Sequence, residues 1–301
     1  MYDVAVVGGG AAGLSAALVL GRARRGVVVI DAGAPRNAPA SEMRGFLSRD
    51  GMPPADLLAA GRAEVESYGV EIVSDEVAQI VMGFTLRLAS GATMTARRIL
   101  VATGAADELP DIPGARERWG RDFLHCPYCH GWEVRDQAIG VIDTGPGSVE
   151  HAHLLRQWSD DIIFFAHGTP VSASEQQALT ARGIEVIDGA IARLAVRNDH
   201  LHAVQLTDGR LIPRAAVFMR PTLRPHKDGP AESFPWETDS AGFPRVGANG
   251  QTSVPGVWAV GNAANPRAQV ITAAGEGSAA AIEINADLLE EDIQTATSID
   301  A

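Results

Sequence analysis

Residues 8–13 read Gly-Gly-Gly-Ala-Ala-Gly, and a chain that carries this run directly behind a β-rich segment has few ways to fold. Asp3-Val4-Ala5-Val6-Val7 predicts a strand, and the Ala/Leu-rich pattern that follows to about Arg24 predicts a helix. In the G-x-G-x-x-G frame Gly8 makes the tight turn, Gly10 lets the backbone approach a pyrophosphate, and Gly13 lets the helix pack on the strand. Ala11 and Ala12 complete the frame and count with the glycines as cofactor-binding residues. A second strand, Val27 to Ile30, ends at Asp31, a carboxylate about 20 residues on that can accept hydrogen bonds from an adenosine ribose. Together these predict a dinucleotide-binding βαβ unit rather than a Gly-rich turn of purely structural use. The motif alone does not distinguish FAD from NAD.

A chain of 301 residues, 46% of them hydrophobic, can bury a large core, and its length suggests two domains. The formal charge of −12 argues against a nucleic-acid surface, which needs clustered Lys and Arg. The start, Met1-Tyr2-Asp3, has no basic leader and its apolar residues are interrupted by glycines, so neither signal peptide nor membrane span is expected and the cytoplasm is the default location.

The only two cysteines lie in His125-Cys126-Pro127-Tyr128-Cys129-His130-Gly131. Two thiols two residues apart, with a proline fixing one backbone angle between them, can cycle between dithiol and disulfide with little rearrangement. A structural zinc site would need about four Cys or His ligands, and no second pair at ligand spacing exists, so no metal is expected. Inert buried cysteines are the remaining alternative. A lone pair suits a reducing compartment in which it turns over.

Later segments carry a resemblance. Arg98 to Gly104 is a predicted strand ending in Ala102-Thr103-Gly104, and Val254 to Asn262 is another ending in Gly261-Asn262. Gln269-Val270-Ile271-Thr272-Ala273-Ala274-Gly275-Glu276-Gly277 then reads as a helix start. With the first glycine motif and the Cys-x-x-Cys, these segments resemble the low-molecular-weight thioredoxin reductases over nearly the whole chain. The resemblance implies an α/β fold of two Rossmann-like, doubly wound, three-layer domains. The FAD domain would be discontinuous, residues 1–111 and 234–301, with an inserted nicotinamide-type domain at 112–233 carrying the cysteines. It implies FAD as cofactor, held by Gly8, Gly10, Ala11, Ala12, Gly13, Asp31, Ala102, Thr103, Gly104, Gly261, Asn262, Gln269 and Val270, and a homodimer. In the family the second strand normally ends in Gly-Asp, whose carboxylate binds the flavin ribityl chain. Asn262 stands there instead; it still accepts a hydrogen bond and adds a donor, without charge assistance.

The inserted domain departs from the family further. Ala138 to Ile142 predicts a strand and Ser148 to Trp158 a helix, but the turn between them reads Asp143-Thr144-Gly145-Pro146-Gly147-Ser148. A carboxylate replaces the first glycine of a nicotinamide-binding turn, and proline removes a backbone donor. The next predicted strand ends in Ala166-His167-Gly168, without the basic residues that would hold a 2′-phosphate. An FAD domain, a Cys-Pro-Tyr-Cys-His-Gly centre and a degenerate nicotinamide turn resemble the FAD-dependent dithiol oxidases of natural-product pathways, the holomycin and gliotoxin type.

That resemblance implies oxidation of a small-molecule dithiol to a disulfide, with electrons passing through the cysteines and flavin to O2. Cys126 would face the substrate and Cys129 the flavin. Thioredoxin reductases usually follow the second cysteine with Asp-Gly; here His130-Gly131 follows, and His130 can serve as general acid–base or as a structural residue. Two alternatives stay open: a reductase of a thioredoxin-like protein, fed by NADPH or a ferredoxin-like donor, and a non-enzymatic flavin redox sensor. Three further expectations concern lesser features. His151 and His153 are expected at the surface, Tyr128 and Trp132 line a pocket or pack in equal measure, and the tail from Leu289 is expected to fray.

Overall fold

The computed structural model describes residues 1–81, 83–226 and 233–299. β1 (Tyr2–Val7), α1 (Ala11–Arg22) and β2 (Val27–Asp31) form the predicted βαβ start, with β1 and β2 parallel and Val4 to Val7 opposite Val27 to Ile30. Both strands are apolar at successive positions because both faces are covered. Val4, Val6, Val27 and Val29 lie in one core cluster; Ala5, Val7, Val28 and Ile30 lie in another. α2 (Pro54–Ser67) starts with a proline where a missing N–H removes no intrahelical bond. β3 (Glu71–Ser74), β4 (Val77–Val81), β5 (Thr85–Leu88) and β6 (Thr93–Val101) follow. The sheet order is β3-β2-β1-β6-β5-β4, parallel as far as β6 and antiparallel beyond it.

After β7 (Ala105–Glu108) come α3 (Ala115–Arg118), β8 (Phe123–Leu124), α4 (Pro127–His130), β9 (Ile139–Ile142), α5 (Ser148–Leu155), β10 (Ile162–Phe165), α6 (Ala173–Ala181) and β11 (Glu185–Ile187). β12 (Ile191–Arg197), β13 (His200–Leu206), β14 (Leu211–Pro213) and β15 (Ala216–Met219) complete this part. Here a second parallel sheet has the order β11-β10-β9-β15-β8, and β12-β13-β14 form an antiparallel sheet. The short β8, which leads to the cysteines, is held by a buried ion pair. The Arg118 guanidinium grips both oxygens of Asp122, whose Oδ2 also accepts from the Leu201 amide at 2.8 Å.

β16 (Thr222–Pro225) precedes β17 (Val257–Ala259), which joins the first sheet parallel to β6, and the chain ends in α7 (Val270–Ile299). Ala280, Ala281, Ile284 and Leu288 of α7 share a core cluster with Ala12, Ala16, Ala17 and Leu20 of α1. The two helices come so close that a Cβ on Gly277 would lie 2.0 Å from the Ala12 carbonyl oxygen. The expected fraying from Leu289 is corrected. The last three turns stay helical because Glu291 and Asp292 are ion-paired to the largely buried Arg97, at 2.9 and 2.5 Å, and Asp292 also to Arg25 at 2.7 Å.

The chain divides into two compact units: residues 1–38, 46–106 and 223–301, and residues 39–45 and 107–222. The divisions fall after Ala106 and Thr222, and the short segment from Pro39 to Gly45 groups with the second unit. No helix among the described residues is long and apolar enough to cross a membrane.

The surface placement of His151 and His153 is also corrected. Both are half-buried on α5, and His151 Nε2 and His153 Nδ1 are buried without a hydrogen-bond partner among the described residues. Burial, reinforced by the Arg220 cation, pushes the His151 imidazole down to about 4. Two outcomes follow for stability. Gly277→Ala should lower the urea unfolding free energy by about 1–3 kcal/mol, since the α1–α7 contact has no room for a methyl. His151 stays neutral in the folded chain while the unfolded chain protonates it below about 6.5. Stability should therefore fall as pH drops from about 6.5 toward 4, by up to about 1.4 kcal/mol per pH unit, and more steeply than in His151→Gln when urea midpoints are compared across that range.

Candidate functional site

The first unit brings nearly all the predicted cofactor residues to one end of its sheet. Gly8 ends β1 with φ +108°, and a Cβ there would lie 2.4 Å from the Ala102 carbonyl oxygen. Gly13 is packed as closely: a Cβ on it would lie 1.9 Å from the Gly8 carbonyl oxygen. Gly10 sits at the N-cap of α1 in extended backbone with open space beside it and no capping side chain. The first-turn amides of Ala11, Ala12 and Gly13 therefore have no intrahelical acceptor. The Ala102 amide donates to the Val7 carbonyl at 2.8 Å, which ties Ala102-Thr103-Gly104 to the end of β1. Thr103 and Gly104 also line a cavity of about 400 Å³ with Val101, Ala263, Phe234 and Trp236.

Asp31 ends β2 beside Gly9 and is ion-paired through Oδ2 to Arg62 of α2. Arg62 has no local signal in the sequence, since it lies a helix away from the motif. Gly261 and Asn262 open a 3₁₀ turn after β17, and a Cβ on Gly261 would sit 3.1 Å from the Ala12 Cβ. Gln269 immediately precedes α7, and Val270 is its first residue. Asn262 donates from Nδ2 to the carbonyls of Asn265 and Ala268, each at 3.0 Å, while its Oδ1 accepts from Arg36 at 3.3 Å.

These residues fit a bound FAD. Open glycine backbone at Gly10 and uncapped amides at the start of α1 suit a pyrophosphate, and Asp31 Oδ1 accepts nothing from the described residues, which suits a ribose hydroxyl.

In the second unit Cys126 and Cys129 are joined in a disulfide with their Cα atoms 5.2 Å apart. Cys126 is the extended N-cap of α4, Pro127 follows at its first position, and the amides of Cys129 and His130 both donate to the Cys126 carbonyl at 3.1 Å. Proline's fixed φ and the short helical turn thus set the two sulfurs on one side. Gly131 is required by packing: a Cβ would lie 2.8 Å from the Trp158 ring. Tyr128, 65% exposed, meets Trp158 edge-on at 5.8 Å, and Trp132, 66% exposed, carries the Arg135 guanidinium over its ring at 4.2 Å. His125 stacks on Trp119 at 5.5 Å. No group of three or more His, Cys, Asp or Glu among the described residues could hold a metal ion.

His130 is half-buried, and burial pushes its imidazole below the usual 6.5; Glu133 works against that shift and Arg44 with it. Arg44 bonds Glu133 Oε1 through Nε at 3.1 Å and pairs with Glu42, so the segment from Pro39 to Gly45 contributes charge beside the cysteines. Nothing local in the sequence connects Arg44 to His130; they are distant along the chain and meet only through folding.

The turn from Asp143 to Ser148 is occupied by its own atoms. The Thr144 amide donates to Ser148 Oγ at 3.1 Å, the Gly145 amide donates to Asp143 Oδ1 at 2.9 Å, and Ser148 Oγ donates to the Gly145 carbonyl at 2.8 Å. The Arg220 guanidinium lies directly over Gly147, 1.8 Å from where a Cβ would be. At the end of β10 the His167 ring accepts the Ile191 amide at Nδ1, 3.0 Å, and burial lowers its pKa, so it offers no cation there.

Residues 2–277 match the family described as pyridine nucleotide-disulphide oxidoreductase. The crystal structure of HlmI is 51% identical in sequence, covers 99% of this chain and 96% of its own, and superimposes with a TM-score of 0.96. The crystal structure of an oxidoreductase from Agrobacterium tumefaciens is 37% identical over 96% of this chain and 98% of its own, with a TM-score of 0.89. Thioredoxin reductase sirT of Leptosphaeria maculans is 29% identical over 97% of this chain and 96% of its own length. The sheet topology, the glycine cradle and the Cys126–Cys129 disulfide accord with these relationships: the chain belongs to the pyridine nucleotide-disulphide oxidoreductase family and is an FAD-dependent, thioredoxin-reductase-like disulfide oxidoreductase.

Proposed function

We propose that this protein oxidises a small-molecule dithiol of natural-product type to a disulfide at Cys126 and Cys129, with O2 as the terminal acceptor and H2O2 as product, as a cytoplasmic homodimer. The observation that carries this reading is the self-occupied turn at Asp143–Ser148. The amides of Thr144 and Gly145, which a nicotinamide dinucleotide would need for its pyrophosphate, already bond Ser148 and Asp143, and Asp143 adds negative charge. An oxidase draws its electrons from the dithiol and needs no such turn. The similarity to HlmI and to sirT supports the same family branch.

The chain's own residues then act as follows. A substrate thiolate attacks Sγ of Cys126, the Cys126–Cys129 bond breaks, and a mixed disulfide forms while Cys129 leaves as thiolate. The second substrate sulfur attacks the first, closing the substrate disulfide and releasing Cys126, so the two electrons lost by the substrate reside in the enzyme dithiol. His130, neutral near pH 7, takes the proton of the attacking thiol. When bound, FAD would supply a two-electron acceptor for that dithiol that O2 could reoxidise. Gly8, Gly10, Ala11, Ala12, Gly13, Asp31, Ala102, Thr103, Gly104, Gly261, Asn262, Gln269 and Val270 would hold it.

Anaerobic mixing tests the direction of electron flow. Dithiothreitol should bleach the flavin absorbance fully, and NADPH should do so slowly or not at all; rapid, saturable bleaching by NADPH would return the protein to the reductases. Cys126→Ser and Cys129→Ser should each keep FAD and lose dithiol oxidation, measured as O2 uptake, because neither can form the internal disulfide. His130→Ala should keep both FAD and disulfide and turn over roughly 10²-fold more slowly. Since His130 acts while neutral and its pKa is lowered, the acid limb of the wild-type pH–rate profile should lie below about 6.5 and vanish in His130→Ala.

A further inference from the structure

Glu276 lies on the second turn of α7, and both its carboxylate oxygens are committed to the 3₁₀ turn that carries Asn262. Oε2 accepts the Gly261 amide at 2.9 Å, and Oε1 accepts Asn265 Nδ2 at 2.7 Å. The carboxylate thus ties the first residue of the turn to the residue that closes it, where the Asn265 amide donates back to the Gly261 carbonyl at 2.7 Å. The main-chain carbonyl of Asn265, together with that of Ala268, in turn receives the two Nδ2 hydrogens of Asn262. An amide whose nitrogen faces two carbonyls cannot exchange its ends without setting oxygen against oxygen. Its Oδ1 is therefore fixed as the acceptor facing Arg36.

From this geometry we infer that Glu276 is the positioning residue of the flavin site: it holds the Gly261–Asn265 turn so that Asn262 presents a fixed acceptor, in place of the aspartate that the family places at that position. The inference rests on FAD as the cofactor. The negative charge stands on the helix behind the contact residue, where it braces the turn through a backbone amide and a side-chain amide. Charge-assisted hydrogen bonds of this kind are stronger and shorter than neutral ones, and two from one carboxylate restrain the turn at both ends.

FAD titrations of deflavinated protein, followed by quenching of flavin fluorescence, test it. Glu276→Gln presents an NH₂ to one of two donors and should weaken FAD binding about tenfold, as should Asn262→Ala. The double variant should bind no more weakly than the weaker single one, since Glu276 acts through Asn262. Urea midpoints of the apo proteins should stay together, which separates positioning from general loss of stability. Asn262→Asp, although it restores the family's residue, should also bind FAD more weakly than wild type, because a carboxylate oxygen would face the carbonyls of Asn265 and Ala268. Should Glu276→Gln fold poorly, Asn265→Ala removes the bond to Oε1 and should show the same lack of additivity with Asn262→Ala. Unchanged FAD affinity in Glu276→Gln, fully additive losses in the double variant, or tighter binding by Asn262→Asp would each overturn the inference. Wild-type protein that takes up no FAD would instead overturn the cofactor assignment itself.

Discussion

Three contacts of backbone against backbone govern the ligand-facing end of the first unit. Gly8 lies on the Ala102 carbonyl, Gly13 on the Gly8 carbonyl and Gly277 on the Ala12 carbonyl, each closer than any side chain would allow. They pin the N-terminus of α1 between the end of β1 and the start of α7, so helix amides and strand ends converge on a space that no side chain of the motif enters. A methyl at any of the three must move main chain rather than a flexible side chain, and interiors packed at crystal density give way only at a cost of kilocalories. The cofactor cradle is in this sense a by-product of how closely two helices and a sheet can approach.

The same contacts explain what can be read from the chain. Local patterns carry the βαβ start, the turn after β17 and the redox turn, because each depends on residues within a few positions of one another. Asp31 can be placed at the end of β2 from the sequence, but its partner Arg62 cannot, since α2 reaches it only through the fold. The tail misleads for a related reason. Residues 289–299 look like an acidic, small-residue end with nothing to pack on, yet Glu291 and Asp292 answer Arg97 and Arg98, which lie about 190 positions earlier on β6. His151 and His153 mislead because spacing on a helix says which side chains share a face, not which face is covered.

The second unit shows how a parallel sheet and the loops at its strand ends are stabilised separately. A parallel sheet with buried strands such as Ile139–Ile142 and Ile162–Phe165 is stabilised by apolar burial, which does not depend on the loops at its ends. Those loops still carry backbone donors that need acceptors. Here the chain itself supplies them: Asp143 and Ser148 do so at the turn, and His167 accepts the Ile191 amide at the next strand end. Asp143 thus has a structural part in the turn, where its Oδ1 accepts the Gly145 amide.

The environment of His130 narrows how it can act in the proposed oxidation. Burial holds the His130 imidazole below its ordinary value, so it is a weaker base than the thiolate it would create. The proton therefore rests mainly on sulfur, and the attacking thiolate is a minor species that the forming S–S bond at Cys126 draws off. Arg44 and Glu133 bracket the ring with opposite effects and are bonded to each other at 3.1 Å, so neither charge acts alone and burial decides the outcome. A base of this kind is ready to accept at neutral pH and quick to pass the proton on, which suits a centre that must handle two substrate protons in succession through one side chain.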